Sequence, residues 1–153
     1  MTKALIVYAS LTGNTEEAAE ILGEALIYYG MEAHLKSIEQ ADVIDFLDYD
    51  ICIVGSYTYG PGTKGELPIE CQEFYKDLAT IDLSEKYYMV FGSGDDFYPE
   101  WCTAVDDFCY QFQKTGAREG TPSYKFNLNP EEKEIEDLYE RAKILSQNIL
   151  EKE

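Results

Sequence analysis

Residues 5–15 of the chain read LIVYASLTGNT, and this stretch decides the fold. Its first part, Leu5–Ala9, is a continuous apolar run, as expected for a strand that is covered on both faces of a sheet. Its second part, Ser10–Thr15, is a polar loop with three hydroxyl groups, one amide and one glycine. Apolar residues at helical spacing follow the loop: Ala18, Leu22, Ala25 and Tyr29. A strand therefore leads through a polar loop into a helix, whose first N–H groups face that loop.

The strand pattern recurs along the chain. Continuous apolar runs predict two further buried strands, at Ile51–Gly55 and Tyr87–Phe91. A last strand is predicted at Tyr124–Leu128. Between residues 31 and 36 apolar and polar side chains alternate. The apolar ones are Met31, Ala33 and Leu35, and the polar ones are Glu32, His34 and Lys36. This alternation predicts a strand with one solvated face, at an edge of the sheet.

Helical patterns separate the strands. Gly30 ends the first helix. Three more helices are predicted from the following apolar stripes: Leu67, Cys71, Phe74 and Leu78; Trp101, Val105, Phe108 and Phe112; and Ile135, Leu138, Ala142, Leu145 and Ile149. Pro68 suits the first turn of the second helix, Gly116 ends the third, and Asn129 with Pro130 opens the fourth.

The alternation of strands and helices predicts an α/β protein. Such a chain forms a parallel sheet that is doubly wound by right-handed crossovers, with helices on both faces in a three-layer α/β/α sandwich. The length of 153 residues corresponds to one domain, residues 1–153. In sheets of this kind the ligand binds beyond the carboxyl ends of the strands, so the loops that follow the strands are where a site is expected.

The net charge of the chain limits the classes of molecule that it can bind. The sequence has 30 acidic against 12 basic residues, a formal net charge of -18 at pH 7. A field of this sign repels phosphate backbones and anionic lipid head groups, so nucleic acid and membrane surfaces are disfavoured as partners. Basic proteins are favoured instead, and we expect the chain itself to be a monomer.

Apolar runs and cysteines predict a cytoplasmic protein. The first apolar run, Ala4–Ala9, is too short for a signal peptide, and no run approaches the roughly 20 residues of a membrane-spanning helix. The four cysteines form no C-x-x-C pair, and with the single histidine His34 they have no zinc-ligand spacing. We interpret them as small buried apolar side chains in a reducing compartment, with no metal site: Cys52, Cys71, Cys102 and Cys109.

The first loop, Ser10–Thr15, has the features of an anion site without a cation. Its hydroxyl groups, its glycine and the N-terminus of the following helix together favour a phosphate. The loop matches neither the nucleoside-triphosphate pattern G-x-x-x-x-G-K-[ST] nor the dinucleotide pattern G-x-G-x-x-G. A single monophosphate fits best, although an ordinary polar turn has the same composition.

Two further loops combine glycine with tyrosine. Residues 56–65 read SYTYGPGTKG and residues 92–99 read GSGDDFYP, each directly after a buried strand. Glycine allows the backbone to approach a flat ligand closely, and aromatic rings can stack on it. Two such loops could hold a planar ring from both faces, although either tyrosine taken singly is also compatible with core packing.

Together the three loops resemble those of flavodoxins in their short-chain form. The matching stretches are SLTGNT, GSYTYG followed by GELP, and GSGDDFYPEWCTAVDDF, and the resemblance extends over the whole chain. The absence of a long insertion in the strand Tyr124–Leu128 is typical of the short-chain group. The resemblance implies a five-stranded flavodoxin-like sheet of order 2-1-3-4-5. It also implies one non-covalent FMN and a low-potential one-electron carrier between reductases and acceptor enzymes, not an enzyme.

The resemblance also implies roles for individual residues. Ser10, Thr12, Asn14 and Thr15 would hold the phosphate with the backbone N–H groups of the loop. Tyr59 and Tyr98 would enclose the flavin ring, Asp95 would meet its pyrimidine edge, and the Gly60 carbonyl would face flavin N5. The full set assigned to the cofactor is Ser10, Leu11, Thr12, Gly13, Asn14, Thr15, Tyr57, Thr58, Tyr59, Gly60, Ser93, Gly94, Asp95, Tyr98 and Cys102.

The chain departs from the family pattern in the second loop. Tyr59 stands where tryptophan is frequent, and a triplet such as residues 61–63 is inserted before the GELP segment. Gly60 and Gly62 therefore both remain candidates for the contact with flavin N5. The ring of Pro61 holds its φ angle near -65°, so the Gly60–Pro61 peptide cannot easily flip to turn its carbonyl towards flavin N5. Gly62 is therefore favoured for this contact.

Two alternatives share this architecture. One is an FMN protein dedicated to a single enzyme, like the ribonucleotide-reductase activators, which also depart from the pattern in the second loop. The other is a phospho-receiver signalling module, which needs acidic residues after the first strand, an aspartate after the third and a lysine after the fifth. The chain has Ser10, Ser56 and Asn129 at these points, which argues against a receiver.

A group of acidic residues follows the fourth strand: Asp95, Asp96, Glu100, Asp106 and Asp107. They would attract basic redox partners, the flavodoxin or ferredoxin reductases and the acceptor enzymes, if the flavin edge emerges beside them. A solvated helix face would have the same composition.

Overall fold

The computed structural model describes residues 1–11, 13–58, 67–94, 102–127 and 130–152. The strands are β1 (Lys3–Ala9), β2 (Glu32–Ser37), β3 (Ile51–Tyr57), β4 (Tyr87–Gly94), β5 (Arg118–Glu119) and β6 (Tyr124–Asn127). The helices are α1 (Asn14–Tyr28), α2 (Gln72–Leu78), α3 (Thr103–Thr115) and α4 (Glu132–Lys152). Two 3₁₀ turns lie at Val43–Asp48 and Ile69–Cys71.

The strands form a parallel sheet in the order β2-β1-β3-β4, with β5 and β6 both beside β4. This confirms the predicted order 2-1-3-4-5, but the fifth position holds two short strands instead of one. Arg118 pairs with Tyr87 at the amino end of β4, and Tyr124 pairs with Phe91 near its carboxyl end. Pro122 lies between the two segments, and a proline has no N–H to donate to the ladder.

The edge strand is confirmed, with a shifted start. Strand β2 pairs with β1 from Glu32 onwards, while Met31 is buried and donates its N–H to Leu26 O (3.0 Å) at the end of α1. Met31 therefore belongs to the helix ending, not to the strand. Leu35, in contrast, lies in β2 but is 37% exposed, so the predicted alternation of a covered and a solvated face is wrong at this residue, because an edge strand is open to solvent.

The second helix also begins differently from the prediction. Cys71 donates its N–H to Pro68 O (3.0 Å), so the chain forms a 3₁₀ turn before α2 begins at Gln72. Pro68 precedes this turn instead of lying in the first turn of the α-helix. Its extended ψ of 145° sets the direction in which the chain leaves the second loop.

Apolar side chains fill both faces of the sheet, which confirms the three layers. On one face, α1 and α4 pack Leu22, Leu138 and Leu145 against the strands. On the other face α2 and α3 contribute phenylalanines, and Phe112 stacks on Tyr88 with ring centroids 4.9 Å apart. Ile135 is 39% exposed, so the predicted stripe of α4 begins at Leu138, and Trp101 lies outside the described residues.

A polar contact joins β6 to α4. The Tyr124 hydroxyl donates to Asp137 Oδ2 (2.6 Å), and Lys133 Nζ lies 3.0 Å from the same oxygen. The hydrogen bond from Tyr124, followed by that from Lys133, lowers the pKa of Asp137 below its ordinary value. Burial, followed by the hydrogen bond to Asp137, raises the pKa of Tyr124. The carboxylate of Asp137 therefore stabilises the fold only while it is ionised.

Asp137→Asn is expected to lower the free energy of unfolding by about 1 kcal/mol at pH 7, since it removes the charge that accepts the hydrogen bonds from Tyr124 and the exposed Lys133. A carboxyl group with a lowered folded-state pKa stabilises the protein above its unfolded pKa of about 4 and loses that contribution as the pH falls. The difference between parent and variant should therefore shrink below about pH 4. Urea unfolding at pH 7, 5 and 3 measures this difference in the free energy of unfolding. Glu136→Gln, exposed on the same helix, is the control, and a difference that persists at pH 3 would contradict the linkage.

Candidate functional site

Three loops leave the sheet side by side at its carboxyl edge. In the parallel register Ala9 lies opposite Ser56, and Tyr57 lies opposite Ser93, so β1, β3 and β4 end at the same level. Parallel pairing places the carboxyl ends of neighbouring strands at one edge, where α/β sheets bind ligands. The structure thus brings together the starts of the loops that the sequence analysis selected.

The first loop folds around the hydroxyl group of Ser10. Ser10 Oγ accepts hydrogen bonds from the N–H groups of Gly13 (3.1 Å) and Glu16 (3.2 Å). Gly13 has a φ of 91°, in the left-handed region where a side chain is strained, and it directly precedes α1. Asn14 is the first residue of α1, and Leu11 is 66% exposed. The turn therefore aims the N-terminus of α1 at the carboxyl edge of the sheet.

Ser93, near the end of β4, is hydrogen-bonded both to helix α1 and to the residue that follows β3. Its hydroxyl group lies 2.7 Å from that of Thr15, and both side chains are buried. Its carbonyl accepts the N–H of Thr58 (3.2 Å). Since Thr15 lies in the first turn of α1 and Thr58 directly follows β3, Ser93 holds the first and second loops to the end of β4.

The end of β3 is also bound to the start of α3. Thr58 Oγ1 accepts the N–H of Ala104 (3.1 Å). Cys102, which precedes α3, is fully buried and has a φ of 55°, an uncommon conformation for a residue with a side chain. Its thiol lies 3.7 Å from Gly92 O and 3.8 Å from Phe126 O. Packing on every side therefore holds this residue in a strained conformation where the third loop enters α3.

Tyr57, the last residue of β3, is bound to the turn that precedes α2. Its hydroxyl group donates to the carboxylate of Glu70, with 2.9 Å to each oxygen. Glu70 lies in the 3₁₀ turn before α2, and the sequence analysis did not select it. The residues after the GELP segment carry no motif, so only the turn geometry reveals this contact.

The described residues include nine of the predicted cofactor contacts near the strand ends and loops: Ser10, Gly13, Asn14, Thr15, Tyr57, Thr58, Ser93, Gly94 and Cys102. Leu11 is described as well and is exposed. Thr12, Tyr59, Gly60, Asp95 and Tyr98 lie outside the described residues, as do Pro61, Gly62, Asp96 and Glu100. The predicted site residues therefore remain predictions as a set. Among the described ones, Thr15, Ser93 and Thr58 form a hydrogen-bonded frame that extends to Ala104.

Side chains with reactive chemistry lie elsewhere. Burial raises the pKa of Cys52 and of Cys71 to about 12, and that of Cys109 to about 11, so these thiols are protonated at neutral pH. His34 lies on the edge strand, 2.8 Å from Glu32. Over the described ranges there is no cluster of metal-ligating side chains and no helix long and apolar enough to cross a bilayer.

The donor set of the first loop fits a phosphate monoester. Ser10 Oγ already accepts the N–H groups of Gly13 and Glu16, so the loop offers the Ser10 hydroxyl proton, the remaining N–H groups at the start of α1 and the helix dipole, and Ser10–Thr15 contains no cationic residue. Such neutral donors match a small anion with several acceptor oxygens. A planar group attached to that phosphate would lie along the ends of β3 and β4.

Comparisons with known proteins agree with this geometry. The flavodoxin family model matches residues 6–141. A flavodoxin from Maridesulfovibrio salexigens is 39% identical over 140 residues, covering 88% of this chain and 92% of its own. "Probable flavodoxin 1" from Bacillus subtilis is 37% identical over 131 residues, covering 86% and 81%.

Solved structures give the same result. The Streptococcus pneumoniae TIGR4 flavodoxin superposes with a TM-score of 0.91 and 46% identity, over 96% of this chain and 99% of that one. A short-chain flavodoxin associated with a bacterial microcompartment also has a TM-score of 0.91, with 42% identity. The family match argues against the phospho-receiver alternative, and nothing in it favours a carrier dedicated to one enzyme. The chain belongs to the flavodoxin family and is an FMN-dependent electron carrier, not an enzyme.

Proposed function

We propose that the loops after β1, β3 and β4 hold the FMN, with its phosphate in the first loop and its ring between the second and the third. The helix N-terminus at Ser10–Thr15 is the observation that carries this proposal. Bound FMN supplies one-electron chemistry, and the protein supplies binding, orientation and electrostatics.

The hydrogen-bonded frame has a defined part in this proposal. The Ser10 hydroxyl group and the first-turn N–H groups bind the phosphate, together with Thr12 and Thr15. The contact between Thr15 and Ser93 keeps the phosphate loop in place relative to the end of β4. The contact between Thr58 and Ala104 keeps the second loop in place relative to α3. Tyr59 and Tyr98 enclose the ring, Asp95 meets its edge, and Gly60 or Gly62 faces flavin N5.

Reconstitution of the purified protein with FMN, FAD or riboflavin tests the proposal. Absorbance titration should give one FMN per chain and a preference for FMN over riboflavin, because the phosphate adds charged hydrogen bonds that riboflavin cannot form. Equal affinity for FMN and riboflavin would contradict the assignment of the first loop.

Ser10→Ala is expected to weaken FMN binding by about tenfold or more, since a hydrogen bond to a charged group contributes about 1.5 to 3 kcal/mol. Riboflavin binding should change much less, because riboflavin has no phosphate. Fluorescence quenching of each flavin measures both dissociation constants. Ser146→Ala on α4 is the matched control. Equal losses for FMN and riboflavin in the Ser10 variant would instead indicate a general disturbance of the loop.

The partners in this proposal are basic redox proteins. The net charge of -18 favours encounters with positively charged surfaces and disfavours self-association, which supports a monomeric carrier of one domain. The buried free cysteines are compatible with a reducing compartment, so the proposal places the protein in the cytoplasm. Reductases and acceptor enzymes would alternate on the same protein.

Electron transfer from the reduced protein to cytochrome c, a basic one-electron acceptor, is expected to slow by about tenfold between 0.1 M and 1 M salt. The Debye length falls from about 10 Å to about 3 Å over this range, which screens the attraction between the two proteins. Stopped-flow absorbance measures the second-order rate constant. A rate constant that stays the same, or that rises with salt from the lowest concentration, would contradict electrostatic attraction.

A further inference from the structure

A cleft of about 450 Å³ lies between the 3₁₀ turn Val43–Asp48 and helix α2. The buried side chains of Ile38, Val43 and Phe74 line it. Ile69 also lines the cleft and is 82% exposed, the highest exposure of any large apolar side chain described beyond Met1. An exposed isoleucine beside an apolar floor marks a surface that another molecule can cover.

Five carboxylates share the same cleft: Glu39, Asp42, Glu70, Glu73 and Asp77. Among the described residues none of the five is in an ion pair, and no lysine or arginine lines the cleft. The cleft is therefore mostly polar, with a small apolar floor beside the exposed Ile69, and its carboxylates have no described counter-charge.

Two of these carboxylates are held in place by the fold. Asp42 accepts the N–H of Ile44 (3.2 Å) and caps the 3₁₀ turn, and Glu70 accepts the hydroxyl group of Tyr57. Glu73 and Asp77 are exposed and lie one turn apart on α2. Like charges at this spacing repel each other, and a bound cation relieves that repulsion.

The acidic group after β4 differs from the cleft because one of its carboxylates has an ion-pair partner. Asp106 lies 2.8 Å from Lys125 Nζ, so its charge is already partly balanced. Asp107 is described as well, and the other three members lie outside the described residues. Of these two acidic groups, the cleft is therefore the one whose five carboxylates are in no described ion pair.

We propose that this cleft is the docking site of a basic redox partner. An aliphatic or aromatic side chain of the partner covers Ile69 and the apolar floor, and flanking lysine or arginine side chains pair with the carboxylates. Charge complementarity selects this occupant, because the anionic wall repels nucleic acid, anionic lipid and a second copy of this chain. The inference rests on the proposed function, which supplies the partner.

The cleft lies next to the cofactor edge of the sheet. Tyr57 ends β3, and its hydrogen bond to Glu70 connects the cleft to the strand from which the second loop leaves. A partner seated in the cleft is therefore placed beside the loops that hold the FMN.

The test uses the FMN-loaded protein and a basic NADPH-dependent flavodoxin reductase. The cleft variants are Glu73→Gln with Asp77→Asn, which removes two charges, and Ile69→Ser, which removes the apolar anchor. Their controls lie on α1: Glu20→Gln with Glu24→Gln, also exposed and one turn apart, and Ile27→Ser, which is 58% exposed in the parent. FMN content, measured by absorbance, should be the same in all of them.

We expect the KM of the reductase to rise about tenfold for the double cleft variant, since each surface ion pair contributes up to about 1 kcal/mol. Ile69→Ser should raise it about fivefold by loss of apolar burial. Both control variants should stay within about twofold, and kcat should be unchanged throughout. Equal effects in the cleft and control variants would overturn the docking site.

Nitrogen-15 NMR spectra of the FMN-loaded protein locate the contact directly. Addition of the reductase should shift amide resonances of residues 38–43 and 69–77, and shifts confined to α1 or α4 would overturn the proposal. Shifts in the cleft that grow with the concentration of this protein alone would identify a second copy as the occupant and overturn it as well. If the reductase does not reduce even the parent protein, the proposed partner is wrong. If it reduces the parent but the cleft and control variants behave alike, the docking site is wrong.

Discussion

Gly92→Ala is expected to lower the free energy of unfolding by about 3 kcal/mol, near the upper end of what overpacking costs in protein cores. A Cβ atom at this position would lie 2.4 Å from the backbone oxygen of Ser56 and 2.6 Å from Val105 Cγ2. Because the first of these atoms belongs to the neighbouring strand, relief requires β3 and β4 to separate at their carboxyl ends. The melting temperature should fall by roughly 6 to 12 °C.

The same separation should reach the cofactor. Gly92 precedes Ser93, which holds Thr15 and Thr58, so a displaced β4 end disturbs the frame of the predicted FMN site. Calorimetry of the apoprotein and FMN titration measure the two effects. Gly23→Ala is the control, because its Cβ would meet only the flexible ends of two side chains, Leu35 Cδ1 at 3.0 Å and Ile6 Cδ1 at 3.9 Å, and alanine favours the helix. A Gly92 variant as stable as the parent would show that the strand ends can adjust.

Thr15→Val and Ser93→Ala are each expected to lower the free energy of unfolding by about 1 to 3 kcal/mol. The two hydroxyl groups lie 2.7 Å apart in a buried position, so either substitution leaves one of them without its partner. The double variant removes both groups. Its loss of unfolding free energy should be smaller than the sum of the two single losses, by about 1 kcal/mol or more. Urea unfolding of the four apoproteins measures this coupling, and strict additivity would contradict a direct contact.

The same four proteins distinguish the predicted role of Thr15 in binding. If Thr15 contacts the phosphate, Thr15→Val weakens FMN binding more than riboflavin binding, whereas Ser93→Ala affects both flavins alike. Flavin fluorescence quenching gives the dissociation constants. A Thr15 variant with unchanged preference for FMN would limit this residue to its contact with Ser93.

The buried strands and the helices were predictable because they are periodic. Continuous apolar runs predicted β1, β3 and β4, and stripes at helical spacing predicted the helices, since both patterns follow from local geometry. Element ends were less predictable. The place where the fifth strand breaks, and the assignment of Met31 to a helix ending, depend on neighbours from other elements.

The meeting of the three loop starts at one edge of the sheet was predictable for a similar reason. Polar and glycine-rich loops after parallel strands must meet at one edge of the sheet, whatever their separation along the chain. The contacts inside the site were not predictable in this way. Ser93 and Thr15 are 78 residues apart and Tyr57 and Glu70 are 13 apart, and no sequence period relates either pair.

The sequence by itself thus determined the class of fold and the family, and it predicted the loops that face the cofactor, because these depend on residue type, local periodicity and motif. The tertiary structure alone decided which hydroxyl groups pair, which side chains surround the cleft beside α2, and how closely β3 and β4 approach at Gly92. These features arise where segments distant in sequence pack together, and packing at the scale of single atoms depends on all of the neighbours at once.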